Sequence, residues 1–309
     1  MTSATKTEQV PSLVVSGVEC PESEHGDSEK SEACAYRVAW SINPHMRVGA
    51  AEPARAVWQH CAFVRLLEEL GARITRVPFV HGAHDSVFAK DNAILTERGD
   101  HVRALLAHPA YDVRHAEQAP RARAFRALGF DVVEPPRETL EGGDVVVLPG
   151  ARAAFLGHGF RSSARAEGAL ERFLDAPVIP LELVDARLYH LDMALAVLTD
   201  GTALVCEEAL SRESFTTLLR TREIARVIRV PLEEALAFGV NCVEIGGDLV
   251  LGGRAPTADG ALRALGWRTH RPSLDQFHLA GGSAACLVSR IHVPATREQA
   301  RRAADLQSA

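Results

Sequence analysis

One thiol, one imidazole and several carboxylates stand out as side chains that could take part in a reaction. Cys286 comes shortly after two glycines, which carry no side chain and let a ligand approach the backbone closely. A cysteine acts as a nucleophile when its pKa is lowered and an acid/base group lies nearby. His190 titrates near neutral pH and is the candidate for that group. The competing interpretation is that Cys286 is a buried apolar residue and that His190 caps a loop.

Three acidic residues could surround this thiol. Glu141 precedes two further glycines, so its carboxylate can enter a cavity with little obstruction from the backbone. Asp192 comes two residues after His190, and we expect both on the same side of a strand. Together with Asp91, these acids suit a metal ion or an organic cation. A planar guanidinium matches them well, because its N–H donors form a fork that fits carboxylate oxygens.

A metal ion is the weaker of these two interpretations. The sequence contains no HExxH motif, and it offers one histidine, His190, among the acids. Another conceivable metal cluster consists of His81, His84 and Asp85, but this segment reads as a loop without further ligands. We therefore expect an organic cation and no metal.

The elements that must position these residues recur along the chain. Segments with helical spacing alternate with short apolar strands, and each of these strands is followed by a loop, a polar residue and another apolar strand. The polar residues are Asp91, Asp144, Asp192, Asp248 and Cys286. Their spacing of about 50 residues is typical of a repeat protein. The alternative is that the aspartates cap loops, where this residue type is common.

Five repeats of this kind predict an α/β fold in which ββαβ units close into a ring. The polar residues would then converge on the ring axis. Asp200-Gly201 is the clearest hairpin turn inside a unit. Because no linker separates the repeats, we predict one domain over residues 12–309, preceded by a flexible tail over residues 1–11. The acidic segment 19–35 has no periodicity and is expected to be either a mobile loop or disordered.

Composition excludes several classes of protein. The 309 residues are 47% apolar and 24% charged, as in ordinary globular proteins. The net charge of −6 does not indicate nucleic-acid binding, for which a basic excess is typical. No apolar run approaches the ~18 residues of a membrane span, and no signal peptide is evident, so we expect a cytoplasmic protein without a membrane partner. The six cysteines form no CxxC pair, which argues against a zinc ribbon and favours reduced thiols.

At these residues the sequence resembles the guanidine-modifying enzymes of the pentein fold, which include arginine deiminases, dimethylarginine dimethylaminohydrolases, arginine dihydrolases and amidinotransferases. The resemblance extends from about Val38 to His292. It rests on landmarks that occur in the family's order: Ile42-Asn43-Pro44-His45-Met46, residues 85–91, Glu141-Gly142-Gly143-Asp144, His190-Leu191-Asp192, Asn241-Cys242-Val243 and the segment from Gly281-Gly282 to Cys286. The fold that it implies is a five-bladed ββαβ propeller with pseudo-fivefold symmetry.

The resemblance also implies a role for each site residue. Cys286 looks like the nucleophile, His190 like the general acid/base, and Glu141 like the acid that binds a guanidino nitrogen. Asp91 and Asp192 look like further acids that bind the guanidinium.

Four more features follow from the resemblance. Arg161 matches an arginine that holds the substrate carboxylate, and Asp85 and Phe88 match positions that line the pocket. Residues 19–35 stand where family members carry a lid. The implied partner is a small guanidino compound. Neither a metal nor an organic cofactor is needed, and a homo-oligomer stays open.

The resemblance implies a reaction in two steps. The Cys286 thiolate attacks the guanidinium carbon and an amine leaves, which gives an S-alkylthiouronium intermediate. Water then hydrolyses this intermediate to a ureido product.

Several residues bear on which enzyme of the family the chain resembles most. Glu141 is similar to the hydrolases rather than the amidinotransferases, and Asp91 differs from the asparagine of the arginine dihydrolases. Asp192 resembles the deiminases and favours a guanidinium with unsubstituted N–H groups. His108 replaces a second carboxylate-binding arginine, so a modified guanidino substrate is a further hypothesis.

Three alternatives to a guanidino hydrolase remain at this point. An amidinotransferase would pass the amidino group to an amine instead of water. A non-catalytic binding protein of the same fold is expected to lack the combination of Glu141, His190 and Cys286, which this chain has. A metal-dependent hydrolase would lose activity with a chelator.

Overall fold

The protein is described by a computed structural model that covers residues 10–20 and 34–294. The tail predicted for residues 1–11 and the lid predicted for residues 19–35 lie largely outside these described residues. Among the helices of the described ranges, none combines the length and the apolar character that a bilayer crossing requires.

The described residues form fifteen strands that are mostly short. They are β1 (Ser12–Ser16), β2 (Arg73–Val77), β3 (Ala93–Arg98), β4 (His101–Leu106), β5 (Asp131–Val133), β6 (Val145–Val147), β7 (Ala154–His158), β8 (Val178–Glu182), β9 (Leu195–Val197), β10 (Thr202–Val205), β11 (Arg226–Arg229), β12 (Cys242–Ile245), β13 (Asp248–Leu251), β14 (Arg268–His270) and β15 (Val288–His292).

Nine α-helices occur in the same ranges, and several consist of a single turn. They are α1 (Pro53–Glu69), α2 (Ala89–Asn92), α3 (Gln118–Ala127), α4 (Glu167–Leu174), α5 (Leu191–Ala194), α6 (Arg212–Arg220), α7 (Leu232–Leu236), α8 (Pro256–Ala264) and α9 (Asp275–His278).

The strands pair in five groups of three that share one pattern, in which an antiparallel pair is extended by a parallel third strand. The groups are β3-β4-β5, β6-β7-β8, β9-β10-β11, β12-β13-β14 and β15-β1-β2. β15 also pairs with β3 and so joins two groups into one six-stranded sheet. The α/β class and the repeat are confirmed. The sheets of the described residues form no closed barrel, and the five-bladed ring stays a prediction.

In four of the five groups, the first strand begins just after one of the predicted polar residues. Asp91 precedes β3, Asp144 precedes β6, Asp192 precedes β9 and Cys286 precedes β15. The expectation that His190 and Asp192 share one side of a strand is wrong, because the chain forms the single helical turn α5 there. Both side chains are nevertheless buried.

The fourth repeat position is Asn241 and not Asp248. Asn241 precedes β12, whereas Asp248 begins β13, the second strand of that hairpin. Asp248 lies at this other end of the strand pair, where it accepts hydrogen bonds from Arg268 and lies 2.7 Å from His270. The sequence pattern misled because both residues stand before a short apolar strand.

Apolar packing anchors the segment that carries the thiol. Leu13 of β1, Phe63 and Leu67 of α1, and Leu287 belong to the same buried cluster as Cys286. Burying a large apolar side chain of this kind contributes about 1.5–3 kcal/mol. The predicted turn at Gly201 is confirmed between β9 and β10, and its φ of 78° is a conformation that glycine adopts readily.

Candidate active site

The loops before the strands contribute side chains to one small cavity. Its lining includes the predicted residues Cys286, Asp91, Asp85, Phe88 and Arg161, together with residues from the 42–46 segment and the 280–282 segment. The complete lining is Ile42, Asn43, Met46, Asp85, Phe88, Asp91, Arg114, Arg161, Tyr189, Ala280, Gly282 and Cys286.

The Cys286 thiol is buried between an amide and a carboxylate. Asn241 donates a hydrogen bond from Nδ2 to Cys286 Sγ over 3.2 Å, and Asn241 Oδ1 accepts one from the Ala285 backbone N–H at 2.8 Å. The two carboxylate oxygens of Asp192 lie 3.8 and 4.0 Å from Sγ. Burial and the negative charges of Asp192 and Asp91 raise the pKa of the Cys286 thiol well above its usual value.

Lys90 neutralises the acid beside this thiol. Its ammonium group lies 3.0 Å from Asp192 Oδ2, and the Lys90 backbone N–H donates a hydrogen bond to the Cys286 carbonyl oxygen at 3.2 Å. The positive charge of Lys90 favours the thiolate and so opposes the effect of the two acids on the pKa of Cys286.

His190 lies between two carboxylates. Its Nε2 is 2.8 Å from Glu141 Oε2, and its Nδ1 is 3.7 Å from Asp91 Oδ1. Burial alone would lower the pKa of His190, but Asp91, Asp144 and Glu141 stabilise the charged ring and raise the pKa to about 9. The imidazole is therefore protonated at neutral pH and is equipped to donate a proton.

Glu141 is fully buried, and both of its carboxylate oxygens have hydrogen-bond partners. Oε1 accepts a hydrogen bond from the Ala110 backbone N–H at 2.8 Å, and Oε2 is shared by His190 and by Arg161, whose Nη1 is 3.1 Å away. Burial would raise the pKa of Glu141, but the hydrogen bond to His190 and the neighbouring positive charges lower it below its usual value. Glu141 is thus an anion that orients the imidazole.

Only one carboxylate oxygen of Asp91 accepts a hydrogen bond from the described residues, and the other is buried without one. Oδ2 accepts a hydrogen bond from Arg114 Nη1 at 2.8 Å. Oδ1 is buried and has no hydrogen-bond donor among the described residues. A buried carboxylate oxygen without a donor is costly, so this atom is suited to accept an N–H of a bound cation.

Arg114 is a buried residue of this site that was not singled out from the sequence. Besides Asp91, it binds both carboxylate oxygens of Glu117 at 2.8 and 2.9 Å and the Asp85 carbonyl oxygen at 3.2 Å. Asp85 in turn accepts a hydrogen bond from Trp40 Nε1 at 2.8 Å through its side chain. Arg114 thereby fixes the segment that carries two of the predicted acids. The spacing of Arg114 and Glu117 by three residues was the only signal in the sequence.

Arg161 lies flat between two aromatic rings. Its guanidinium carbon is 4.7 Å from the centre of the Tyr111 ring and 4.5 Å from that of Tyr189. It also donates a hydrogen bond to the Ile42 carbonyl oxygen at 3.0 Å. Its predicted contact with a substrate carboxylate stays a prediction. His108 does not line the cavity, because its Nδ1 is 3.0 Å from the Pro136 carbonyl oxygen.

The Gly-Gly pairs allow protein side chains to approach one another. A Cβ on Gly143 would stand 2.5 Å from His190 Nδ1 and 2.7 Å from Asp91 Oδ1. A Cβ on Gly282 would stand 2.2 Å from the Phe88 ring. These glycines were predicted to let a ligand approach closely. In the structure, the groups that lie against them are side chains of the site, namely His190, Asp91 and Phe88.

The acids of the site could in principle bind a metal ion. Asp91, Glu141 and His190 offer ligand atoms within 4.8 Å of one another. The guanidinium groups of Arg114 and Arg161 already contact these carboxylates, so a further divalent cation would meet like charge. The other conceivable cluster does not form, since His84 Nδ1 contacts the Ala35 carbonyl oxygen and Asp85 contacts Trp40.

The structure therefore brings the predicted Cys286, His190, Glu141, Asp91 and Asp192 to one place, with Asp85, Phe88 and Arg161 around them. Their catalytic and binding roles stay predictions. Three contributors were missed from the sequence, namely Arg114, Lys90 and Asn241. Lys90 and Asn241 both lie in family landmarks, whereas Arg114 had left only its spacing from Glu117 as a signal.

Comparisons with known proteins identify the family of the chain. A family model described as N,N dimethylarginine dimethylhydrolase, eukaryotic, matches residues 46–293. The chain is 32% identical over 260 residues to the N(G),N(G)-dimethylarginine dimethylaminohydrolase of Mycobacterium tuberculosis, and the alignment covers 83% of each chain. It is 29% identical over 269 residues to the bifunctional arginine dihydrolase/ornithine cyclodeaminase AgrE of Nostoc, with 85% of this chain and 37% of AgrE covered.

Solved structures of related enzymes have a similar fold. The N-terminal domain of ArgZ bound to product, an arginine dihydrolase from cyanobacteria, has a TM-score of 0.82 at 25% identity and covers 93% of this chain and 99% of that chain. A variant of the same domain, covalently bound to a reaction intermediate, has a TM-score of 0.81 at 25% identity, with 92% and 98% covered. Because the family model spans most of the sequence, the chain belongs to the N,N dimethylarginine dimethylhydrolase family.

Proposed function

We propose that this protein is a cysteine-dependent hydrolase that cleaves a C–N bond in the guanidino group of an N-methylated arginine, with arginine as the second candidate. The observation that carries the proposal is the contact of the Cys286 thiol and the His190 imidazole with a group of three carboxylates, of which Asp91 lines the same cavity as the thiol. The curated relatives support the hydrolase class, because they are named dimethylarginine dimethylaminohydrolase and arginine dihydrolase.

The acids provide a binding site for the guanidinium. Asp91 Oδ1 is buried without a donor among the described residues and accepts one N–H of the substrate. Glu141 and Asp192 carry the remaining negative charge. Arg161 and Lys90 contact these two acids, so the substrate cation has to share them or displace those contacts. Arg161 then binds the substrate α-carboxylate.

Binding of the cation activates the thiol. The pKa of Cys286 is raised by burial and by Asp192 and Asp91, and a guanidinium placed between these acids removes much of that effect. The thiolate forms a bond from Sγ to the guanidinium carbon. The C–N bond then breaks, and protonated His190 gives its proton to the departing amine. The product of this half-reaction is an S-alkylthiouronium on Cys286.

Water completes the cycle. Neutral His190 accepts a proton from a water molecule, and the oxygen bonds to the thiouronium carbon. The C–S bond breaks and returns the electron pair to sulfur, which restores the thiolate and protonated His190. The hydroxyl group of the adduct loses its proton as the C–S bond breaks. Water and the guanidinium cation are consumed overall, and a ureido product, an amine and one proton are released. The solved ArgZ domain with a covalent intermediate supports a covalent route of this kind.

The environment of Asp192 weakens the argument for an unsubstituted guanidinium and so leaves a methylated substrate open. An open carboxylate at this position would favour a guanidinium with unsubstituted N–H groups, as in the deiminases. Here Asp192 is paired with Lys90 at 3.0 Å, which weakens that reason. Asp91 also differs from the asparagine that the arginine dihydrolases carry, which argues against release of two ammonia molecules.

We also propose that the five strand groups form a five-bladed propeller. All five groups have the same strand order, and β15 brings the last described strand next to β1. The residues of the site precede the first strand of each group, as convergence on a common axis requires.

The experiment is a substrate panel with separate detection of ureido product, ammonia and methylamines. The panel contains asymmetric dimethylarginine, monomethylarginine, arginine and agmatine, each with and without glycine as an amine acceptor. We expect dimethylamine or methylamine with one citrulline per turnover, and Cys286→Ser should lose several orders of magnitude while keeping its fold. Turnover only with glycine present would instead establish an amidinotransferase. Undiminished turnover by Cys286→Ser would overturn the proposal.

A further inference from the structure

A second cluster of metal-binding side chains lies outside the cavity of the active site. Cys34 Sγ is 3.0 Å from His81 Nδ1, and Cys20 Sγ is 4.0 Å from the same nitrogen. The three ligand atoms all lie within 4.8 Å of one another. None of the three residues lines the active-site cavity.

The backbone holds the two cysteines face to face. Glu19 and Ala35 form an antiparallel bridge, with hydrogen bonds from the Cys20 N–H to the Cys34 carbonyl oxygen at 2.8 Å and from the Tyr36 N–H to Val18 at 2.7 Å. In this register Cys20 and Cys34 are directly opposite each other, so their side chains emerge on the same face. Both cysteines are 3% exposed, and His81 is exposed at the rim.

We propose that Cys20, Cys34 and His81 bind a zinc ion through two thiolates and one imidazole nitrogen. Zinc prefers sulfur and nitrogen ligands at about 2.3 and 2.0–2.1 Å, which places neighbouring ligand atoms about 3.5–3.8 Å apart in a tetrahedron. The observed separations of 3.0 and 4.0 Å bracket that range. Two thiolates also balance the charge of the ion, and binding releases their protons.

A disulfide between the two cysteines is the competing chemistry for this cluster. It would account for two residues that face each other across an antiparallel pair. It would not account for an imidazole nitrogen directed at both sulfur atoms. The position of His81 therefore favours the metal.

The site links two parts of the chain. His81 lies three residues before the 3-10 helix His84–Val87, which carries Asp85 into the active-site cavity. Cys34 lies just before Trp40, whose indole holds the Asp85 carboxylate. The bound ion would fix both segments to Cys20, so we expect it to stabilise the fold.

The test uses cobalt as the spectroscopic substitute for zinc, in a Cys286→Ser background that removes the active-site thiol. We expect one cobalt ion per chain, with thiolate-to-cobalt charge-transfer absorption that zinc abolishes. The double variant Cys20→Ser/Cys34→Ser should lose this absorption. The matched control is Cys61→Ser, which removes an exposed cysteine of α1 and should leave the spectrum unchanged.

A second variant guards against misfolding of the double variant. His81→Ala changes an exposed side chain, and we expect it to keep the fold while weakening zinc affinity by at least tenfold in a chelator competition. Zinc in 100-fold excess over its dissociation constant should raise the Tm of the parent protein by about 5 °C and that of the double variant much less.

The proposal does not depend on turnover, so its failure is separate from that of the proposed function. Thiolate-to-cobalt absorption that persists in the folded double variant would overturn it. A reduced protein that binds no cobalt through sulfur, and that joins Cys20 to Cys34 when mildly oxidised, would also overturn it in favour of the disulfide.

Discussion

Asn241 donates a hydrogen bond to Cys286 Sγ over 3.2 Å, and the same side chain accepts one from the Ala285 N–H. The amide therefore stabilises the thiolate and fixes the backbone next to it. A hydrogen bond to a charged group is worth about 1.5–3 kcal/mol. We expect Asn241→Ala to lower kcat by about 10- to 100-fold.

The matched variant for this prediction is Asn241→Asp, which keeps the acceptor for Ala285 and replaces the donor with a negative charge. It should be slower than Asn241→Ala, because the new charge opposes thiolate formation. The measurements are kcat and the pH dependence of Cys286 alkylation. An alkylation profile that is identical in all three proteins would show that Asn241 does not act on the thiol.

The charge of His190 should be visible in its titration. Burial lowers its pKa, but the surrounding carboxylates raise it to about 9, so the ring keeps its proton at neutral pH. In the substrate complex the bound guanidinium lowers the pKa of the thiol, and the protonated ring still has to supply the leaving group with a proton, so kcat should fall as the pH rises past the pKa of His190. NMR titration of the ring measures the pKa directly. Buried His60 provides an internal reference, since burial and Arg76 lower its pKa to about 4. A His190 ring that titrates at its ordinary value would contradict the prediction.

Lys90 should make the thiol more reactive. It lies 3.0 Å from Asp192 Oδ2, and its charge lowers the pKa of Cys286 against the effect of two acids. Replacing it with an uncharged residue leaves Asp192 unpaired beside the sulfur. We expect Lys90→Met to slow the alkylation of Cys286 at fixed pH by about tenfold, which is one pKa unit.

Lys90→Arg is the control, because it retains the positive charge and should alkylate within a few-fold of the parent. Equal loss in both variants would indicate that packing rather than charge is responsible. Alkylation of the exposed Cys61 reports on the reagent and should not change.

Gly143 should be required for the approach of His190 to Asp91. A Cβ there would stand 2.5 Å from the imidazole nitrogen and 2.7 Å from the carboxylate oxygen. A displacement of 1 Å in a catalytic group can cost about 100-fold in rate, so we expect a loss of this size for Gly143→Ala. The same overpacking should lower the free energy of unfolding by about 1–3 kcal/mol.

Gly260 offers a matched control inside α8, where a Cβ would meet no atom within 4 Å. Gly260→Ala should keep full activity and add about 0.5–1 kcal/mol of stability through helix propensity. Full activity in Gly143→Ala would mean that the two catalytic side chains tolerate a larger separation.

Arg161 should discriminate between substrates with and without a carboxylate. Its guanidinium is held flat between Tyr111 and Tyr189, a geometry that lysine cannot reproduce. We expect Arg161→Lys to raise KM for methylarginines by about 10- to 100-fold, because a charge-assisted contact is lost. Agmatine lacks the carboxylate, so its kcat/KM should change much less. A uniform loss on both substrates would assign Arg161 to orienting Glu141 instead.

The repeat and the reactive side chains could be predicted because each depends on local pattern. Asp91, Asp144, Asp192 and Cys286 stand before short apolar strands, and the structure brings their segments together. The prediction assigned the fourth repeat position to Asp248 instead of Asn241, because both residues precede such a strand. Only the strand pairing distinguishes the two ends of the hairpin.

The pairing of charges could not be predicted in the same way. Asp192 is two residues from His190 in sequence, yet its ion pair is with Lys90 of another repeat unit. Arg114 contacts Asp91 only because the loop after β4 folds over the cavity. These contacts depend on tertiary packing, for which the spacing of residues in one sequence contains no signal.

The position of β15 has a consequence for synthesis of the protein. It is the last described strand, it lies between β1 and β3, and Cys286 directly precedes it. Chains emerge from the ribosome with the N-terminal part first, so a nascent chain presents Asp91 and Glu141 long before it contains the thiol. Sheet pairing between such distant segments also forms slowly. On the proposed mechanism, a fragment that ends before Cys286 contains acids of the site but cannot turn over substrate.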